Sequence, residues 1–134
     1  MQGAADASPT GETPSPASIL VIDDDPQMRR VIRAALEDEG LTVETAADGP
    51  QALARGARRT PTLVVLDMSL PGIAGADVAS RLRTAHGEAL PILVITADGR
   101  PAEKARQVGA YAYLTKPFDL DALLAAVQRG LRSA

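Results

Sequence analysis

Leu63-Val64-Val65-Leu66 runs without a polar interruption into Asp67, and the turn pair Pro71-Gly72 follows shortly after. An apolar run this short is the pattern of a strand buried on both faces, as found inside a parallel sheet. Parallel neighbours need crossover connections, usually helices, so this one run constrains the layout of the whole chain. It also delivers Asp67 to the strand's carboxyl end, where open α/β sheets bind their ligands. Alone, an aspartate there is an ordinary turn former. Its meaning depends on what the other strands bring beside it.

Residues 1–17 are rich in Ala, Ser, Thr, Pro and Gly and too poor in apolar side chains to offset the entropy of ordering. They are expected to form a disordered tail ahead of one domain spanning 18–132. Ile19–Ile22 is an apolar strand ending in Asp23-Asp24-Asp25. Asp25 and Pro26 then open a helix as N-cap and first helical residue. Met28, Val31, Ile32, Ala35 and Leu36 share one face of it, and Gly40 suits a left-handed cap at its end. Leu41–Ala46 alternates and reads as an edge strand. A weaker helix over Gly49–Ala57 has Leu53 as its only large anchor.

After the central run, Val78, Leu82 and Ala85 mark a third helix starting near Gly75. Ile92–Ile95 is a fourth strand leading into Thr96-Ala97-Asp98-Gly99, and a short helix spans Pro101–Val108. Tyr111–Leu114 is a fifth strand, closed by Lys116-Pro117. Leu120, Leu123, Leu124, Val127 and Leu131 line a last helix over Asp119–Leu131. His86 is read as a surface residue, and Met28 and Met68 as packing.

Regular alternation of strand and helix is the pattern of a doubly wound α/β sheet with helices on both faces. The order 3-2-1-4-5 would put the wholly apolar third strand at an edge. The order 2-1-3-4-5 puts the alternating second strand there instead and is preferred; it sets strands one and three side by side at the switch point. The expected fold is therefore a flavodoxin-like, five-stranded parallel sheet.

Composition narrows the function. The 134 residues contain no Cys, which excludes disulfides and thiolate metal sites, and 46% are hydrophobic, ordinary for a globular chain. The net charge of −3, from 14 basic and 17 acidic residues without long runs, offers no basic face for direct nucleic-acid binding. No apolar run approaches the roughly 20 residues needed to span a bilayer, and the first residues lack the features of a signal peptide. A cytoplasmic protein with no membrane contact is expected.

The strand ends supply the chemistry. The first strand leaves Asp23 and Asp24, the third Asp67, the fourth Thr96 and the fifth Lys116. In the preferred order these are neighbours along one rim. Carboxylates converging there repel one another unless a cation joins them, and an all-oxygen donor set selects a hard cation: Mg²⁺, with Mn²⁺ or Ca²⁺ as the others. Mg²⁺ keeps several waters and completes its shell with phosphate oxygen. Lys116 and Thr96 suit the same phosphoryl group, as ammonium and hydroxyl. With no Cys or His at the rim, a carboxylate can serve as the phosphoryl acceptor. Asp67 is the choice, because Asp23 and Asp24 form the pair better placed to hold metal. Asp25 has the plainer role of helix cap.

These segments closely resemble the receiver domain of two-component response regulators, the chemotaxis regulator and nitrogen-regulatory receivers included. The matching stretches are Ile19–Asp25, Leu66–Gly72, Val94–Ala97 and Tyr113–Phe118. The resemblance implies that Asp67 is the phosphoacceptor. It implies that Asp24 and Asp67 bind Mg²⁺ directly, Asp23 partly through water, and the Ser69 backbone carbonyl as a further ligand. Lys116 and Thr96 would contact the phosphoryl, with Lys116-Pro117 cis. Tyr113 matches the aromatic that swings inward when Thr96 moves, and Ser69 and Asp98 match positions that tune dephosphorylation rate. Tyr111-Ala112 replaces an acidic pair common there, so Ala110–Tyr113 is expected to offer a more apolar surface.

The function expected is a phosphorylation switch rather than an enzyme in the ordinary sense, assisting its own phosphorylation and dephosphorylation. A sensor histidine kinase or a histidine phosphotransfer protein would be the donor, and a downstream effector would read the face made by helix 4, strand 5 and helix 5. A stand-alone receiver, monomeric or dimerising on phosphorylation, is expected, with a regulator cut from a longer protein as the alternative. A haloacid-dehalogenase-type phosphatase would want a second Asp where Ser69 stands. A flavodoxin-like flavin protein would want a hydroxyl- or Gly-rich phosphate loop where three aspartates stand. A receiver scaffold that works without phosphorylation stays open.

Overall fold

A computed structural model describes residues 17–69, 75–97 and 99–133. Residues 1–16 of the expected tail, the Leu70-Pro71-Gly72 turn and Asp98 lie outside the described residues. The elements run β1 (Ser18–Ile22), α1 (Pro26–Asp38), β2 (Thr42–Ala46), α2 (Gly49–Arg58), β3 (Leu63–Asp67), α3 (Gly75–His86), β4 (Ile92–Thr96), α4 (Pro101–Gln107), β5 (Ala112–Thr115) and α5 (Leu120–Ser133). The strands form one sheet in the order β2-β1-β3-β4-β5, every pair parallel. This is the expected order, with β2 at an edge.

The unbroken apolar runs explain the layers. Along β1, β3 and β4 alternate residues feed two cores. Leu20, Ile22, Val64, Leu66, Ile92 and Val94 pack with α2, α3 and α4 on one face. Ile19, Val21, Leu63, Val65, Leu93 and Ile95 pack with α1 and α5 on the other. Fully burying one such side chain contributes about 1.5–3 kcal/mol, against about 0.5–1.5 for one net hydrogen bond. Apolar packing therefore sets the position of the sheet, and the polar residues at its rim are placed by it.

Local signals also hold. Asp25 caps α1 by accepting from the Gln27 N–H at 2.9 Å, with Pro26 at the start, and Gly40 takes the left-handed φ of 82° beyond its end. The weaker α2 is fixed at its start by Asp48, which accepts from the Gln51 N–H at 2.9 Å, while the Gln51 side chain reaches back to the Ala47 N–H. Ala17, grouped by composition with the tail, accepts from the Thr42 N–H at 3.0 Å and extends the β1–β2 ladder. Met28 and Met68 pack at the borders of the two cores, as expected.

Two readings are sharpened. His86 is not a free surface residue: its ring is partly buried over Gly56, where an added Cβ would lie 3.1 Å from Nε2. Of the apolar surface expected over Ala110–Tyr113, Tyr113 is exposed and Tyr111 is half-buried. Tyr111 packs against the core beneath α5, and its hydroxyl donates to the Ala126 carbonyl at 2.7 Å. Gly130 makes the room, since a Cβ there would overlap both Tyr111 and Leu63. The regular strand accordingly begins at Ala112, one residue later than the pattern implies.

Candidate functional site

The sheet ladder continues one residue past several strands and holds their polar ends in place. The Asp23 N–H donates to the Ala46 carbonyl at 3.1 Å, Met68 to Ile95 at 3.0 Å, and Lys116 to Thr96 at 2.9 Å. Asp23, Asp67, Thr96 and Lys116 therefore occupy one rim. Asp23 and Thr96 are fully buried, Asp67 is 1% exposed and Asp24 is open to solvent. Carboxylate oxygens of Asp23, Asp24 and Asp67 all lie within 4.8 Å of one another.

Each buried carboxylate is oriented by the backbone just after it. Asp23 Oδ1 accepts from the Asp25 N–H, and Asp67 Oδ1 accepts from the Ser69 N–H, both at 2.9 Å. The remaining oxygens turn toward one ammonium: Lys116 Nζ is 2.9 Å from Asp23 Oδ2 and 3.3 Å from Asp67 Oδ2. The first contact is a buried ion pair, and Lys116 is the one partner of Asp23 Oδ2 among the described residues. Three carboxylates against one ammonium leave a surplus of two negative charges when all are ionised.

Titration behaviour follows from that surplus. Burial is the main cause that raises the Asp67 pKa, and the Asp23 charge adds to it, while the Ser69 N–H and Lys116 act against both. For Lys116, burial works to lower the pKa, but the contacts with Asp23 and Asp67 outweigh it and raise it. One ammonium is thus held firmly charged yet does not satisfy its two partners. The chemistry of the donor set, three carboxylates sharing one ammonium, fits a hard divalent cation.

The structure brings together Asp23, Asp24, Asp67, Thr96 and Lys116 from the residues picked out by sequence, and the Lys116–Pro117 bond is cis. Tyr113 stands apart on β5, 44% exposed. Ser69 contributes the N–H described above. Sequence reasoning missed Arg29, whose Nη1 donates to the Asp23 carbonyl at 2.8 Å and braces the acidic turn. Its signal was position: it lies in the first turn of α1, directly after that turn.

Comparison with known proteins agrees with this geometry. Residues 19–128 match the family model described as response regulator receiver domain. The response regulator MprA of Mycobacterium sp. strain KMS is 43% identical over 119 residues, 87% of this chain and 51% of the relative. The transcriptional regulatory protein TcrA of Mycobacterium tuberculosis is 43% identical over 112 residues, 82% of this chain and 44% of the relative. The chain thus spans about half the length of the curated relatives it matches. Among solved structures, the chemotaxis protein CheY4 of Vibrio cholerae superposes with a TM-score of 0.81 at 33% identity, covering 87% of this chain and 100% of that one. The receiver domain of NtrX from Brucella abortus superposes with a TM-score of 0.79 at 34% identity, covering 87% and 99%. Rim, sheet order and sequence similarity agree: the chain belongs to the receiver domains of two-component response regulators.

Proposed function

We propose that Asp67 is the residue phosphorylated in this receiver domain and that the modification switches the surface formed by α4, β5 and α5. The observation that carries this reading is the meeting of the Asp23 and Asp67 carboxylates at Lys116 Nζ, at 2.9 and 3.3 Å. Asp23, Asp24, Asp67 and the Ser69 carbonyl would hold Mg²⁺, with Mn²⁺ as a substitute. When bound, the ion supplies charge neutralisation for the transferring phosphoryl oxygens.

The donor is a phosphohistidine on a sensor kinase or a phosphotransfer protein. An Asp67 carboxylate oxygen forms the new P–O bond while the N–P bond breaks. The bonding pair goes to the imidazole nitrogen, and the leaving ring is neutral when its other nitrogen carries a proton. Ser69 N–H fixes one Asp67 oxygen and so aims the other, and Lys116 offsets charge growing on the phosphoryl. Thr96 supplies a hydroxyl to the product. Its movement lets Tyr113 turn inward, while Ser69 and Asp98 set the rate of hydrolysis.

The partner that reads the switch is a downstream effector, with phosphorylation-dependent dimerisation as the other outcome and no direct contact with nucleic acid. Among the described residues no helix is long and apolar enough to cross a membrane, which supports a cytoplasmic setting. Incubation with acetyl phosphate and Mg²⁺ should add about 80 Da, the mass of one phosphoryl group. Asp67→Asn and chelation of the metal should each abolish the gain. An unchanged mass under saturating donor would overturn the assignment.

A further inference from the structure

Helix α4 is held unequally at its two ends. At its start Arg100 sits in the left-handed region, with φ 63° and ψ 47°, and provides no side-chain cap. That conformation is costly for a residue with a Cβ. At its other end, Arg83 of α3 reaches across to the turn that follows. Its Nη1 donates to the Val108 carbonyl, and Nη2 donates to Gly109 at 3.0 Å and to Leu90 at 3.3 Å. One guanidinium therefore ties α3, the α4–β5 turn and the approach to β4 together.

The surroundings are built around that tie. Gly109 has φ 63°, and a Cβ on it would lie 3.2 Å from Arg83 Nη1, so the glycine clears the path of the guanidinium as well as making the turn. Arg83 Nε is buried without a partner, a cost accepted in aiming the other two nitrogens at carbonyls. Along the side facing β5 and α5, α4 is poorly supported. A cavity of about 270 Å³ lies between α3 and the C-terminal end of α4, lined by Ala79, Arg83 and Gln107 among others. Another of about 410 Å³ lies toward β5 and α5, lined by Ala102, Ala105 and Tyr113. Within the helix only Ala105 is buried.

From these features we infer that Arg83 is a positioning residue that pins the C-terminal end of α4, so that the helix moves by swinging its N-terminal end about this point. A helix with space along the flank that faces β5 and α5 can turn that way without losing much packing. A tie at one end converts such freedom into rotation, whereas a free helix would slide or fray. The α4–β5 turn and β5 then keep their place while the start of α4 moves.

Amide hydrogen exchange on the full chain tests this in two arms. Without any phosphoryl donor, Arg83→Met should speed exchange at Lys104–Ala110 by about tenfold or more, the effect of losing hydrogen bonds from a charged donor. Amides of β1 and β3 should stay near their wild-type rates, and Arg83→Lys should recover part of the protection. Wild-type rates at Val108–Ala110 in Arg83→Met, or an equal increase throughout the sheet, would overturn the tie. If Arg83→Met fails to fold, Arg83→Lys serves the same comparison, with a smaller increase confined to these amides.

With Mg²⁺ and acetyl phosphate, wild-type protein should change its exchange at Lys104–Arg106 while Val108–Ala110 hold steady. An equal change at both ends would refute the swing. Only this second arm rests on phosphorylation at Asp67. If no mass is gained, that reading fails alone, and the donor-free arm still decides the role of Arg83.

Discussion

At the scale of single residues, the rim and the two tyrosines show what a sequence can and cannot announce. Asp23, Asp67 and Lys116 were legible because each ends an apolar run, so strand order alone brings them together. Tyr111 was not, because its inward turn depends on Gly130, far along the chain, leaving space beneath α5. Once buried, its phenol is pushed up to about 12, chiefly by desolvation, with Arg129 working in the opposite direction. An unfolded tyrosine titrates near 10. Between these values the unfolded chain gives up a proton that the folded chain keeps, so stability falls as pH rises through that window. Tyr111→Phe lacks both the titration and the bond to Ala126. It should be less stable than wild type by about 0.5–1.5 kcal/mol at neutral pH. Urea midpoints should converge as the pH passes about 10 and approaches about 12. A constant difference across that range would contradict the buried phenol.

At the scale of elements, the helices differ in how they are held, and this was only partly readable. Capping residues and the apolar stripe of α5 could be read directly. What holds α4 could not be read, since Arg83 acts through carbonyls, which every residue possesses and no residue type signals. The fit of α5 on the sheet is likewise a matter of shape. A Cβ at Gly130 would overlap Tyr111 and Leu63, one partner a rigid ring and the other a fully buried strand side chain. Gly130→Ala gains helix propensity of about 1 kcal/mol. Overpacking costs about 1–3 kcal/mol, so the net effect should be a loss of stability. Combined with Tyr111→Ala, which opens the space, Gly130→Ala should cost less than it does alone. Additive losses in that double-mutant cycle would show that the contact with Tyr111 is not the reason for the glycine.

At the scale of the whole molecule, apolar burial positions charges that would otherwise stay apart. The two cores fix β1 beside β3, and that adjacency carries buried Asp23 and Asp67 to one point with exposed Asp24 nearby. Folding without a cation therefore works against carboxylate repulsion that Lys116 only partly offsets. A divalent ion that binds the folded rim, and has no matching site in the unfolded chain, must stabilise the entire domain. At a free concentration of about 100 times its dissociation constant the gain is about 2.7 kcal/mol. Mg²⁺ should therefore raise the thermal midpoint by several degrees, and an equal concentration of Na⁺ should not. Asp24→Asn is the informative variant, because an exposed substitution typically changes stability by less than about 0.5 kcal/mol. Its metal-free midpoint should equal or slightly exceed that of wild type, because one repelling carboxylate is gone, while its Mg²⁺-dependent rise is mostly lost. A full rise in that variant would remove Asp24 from the metal site, and no rise in wild type would mean that the acidic rim does not hold the ion.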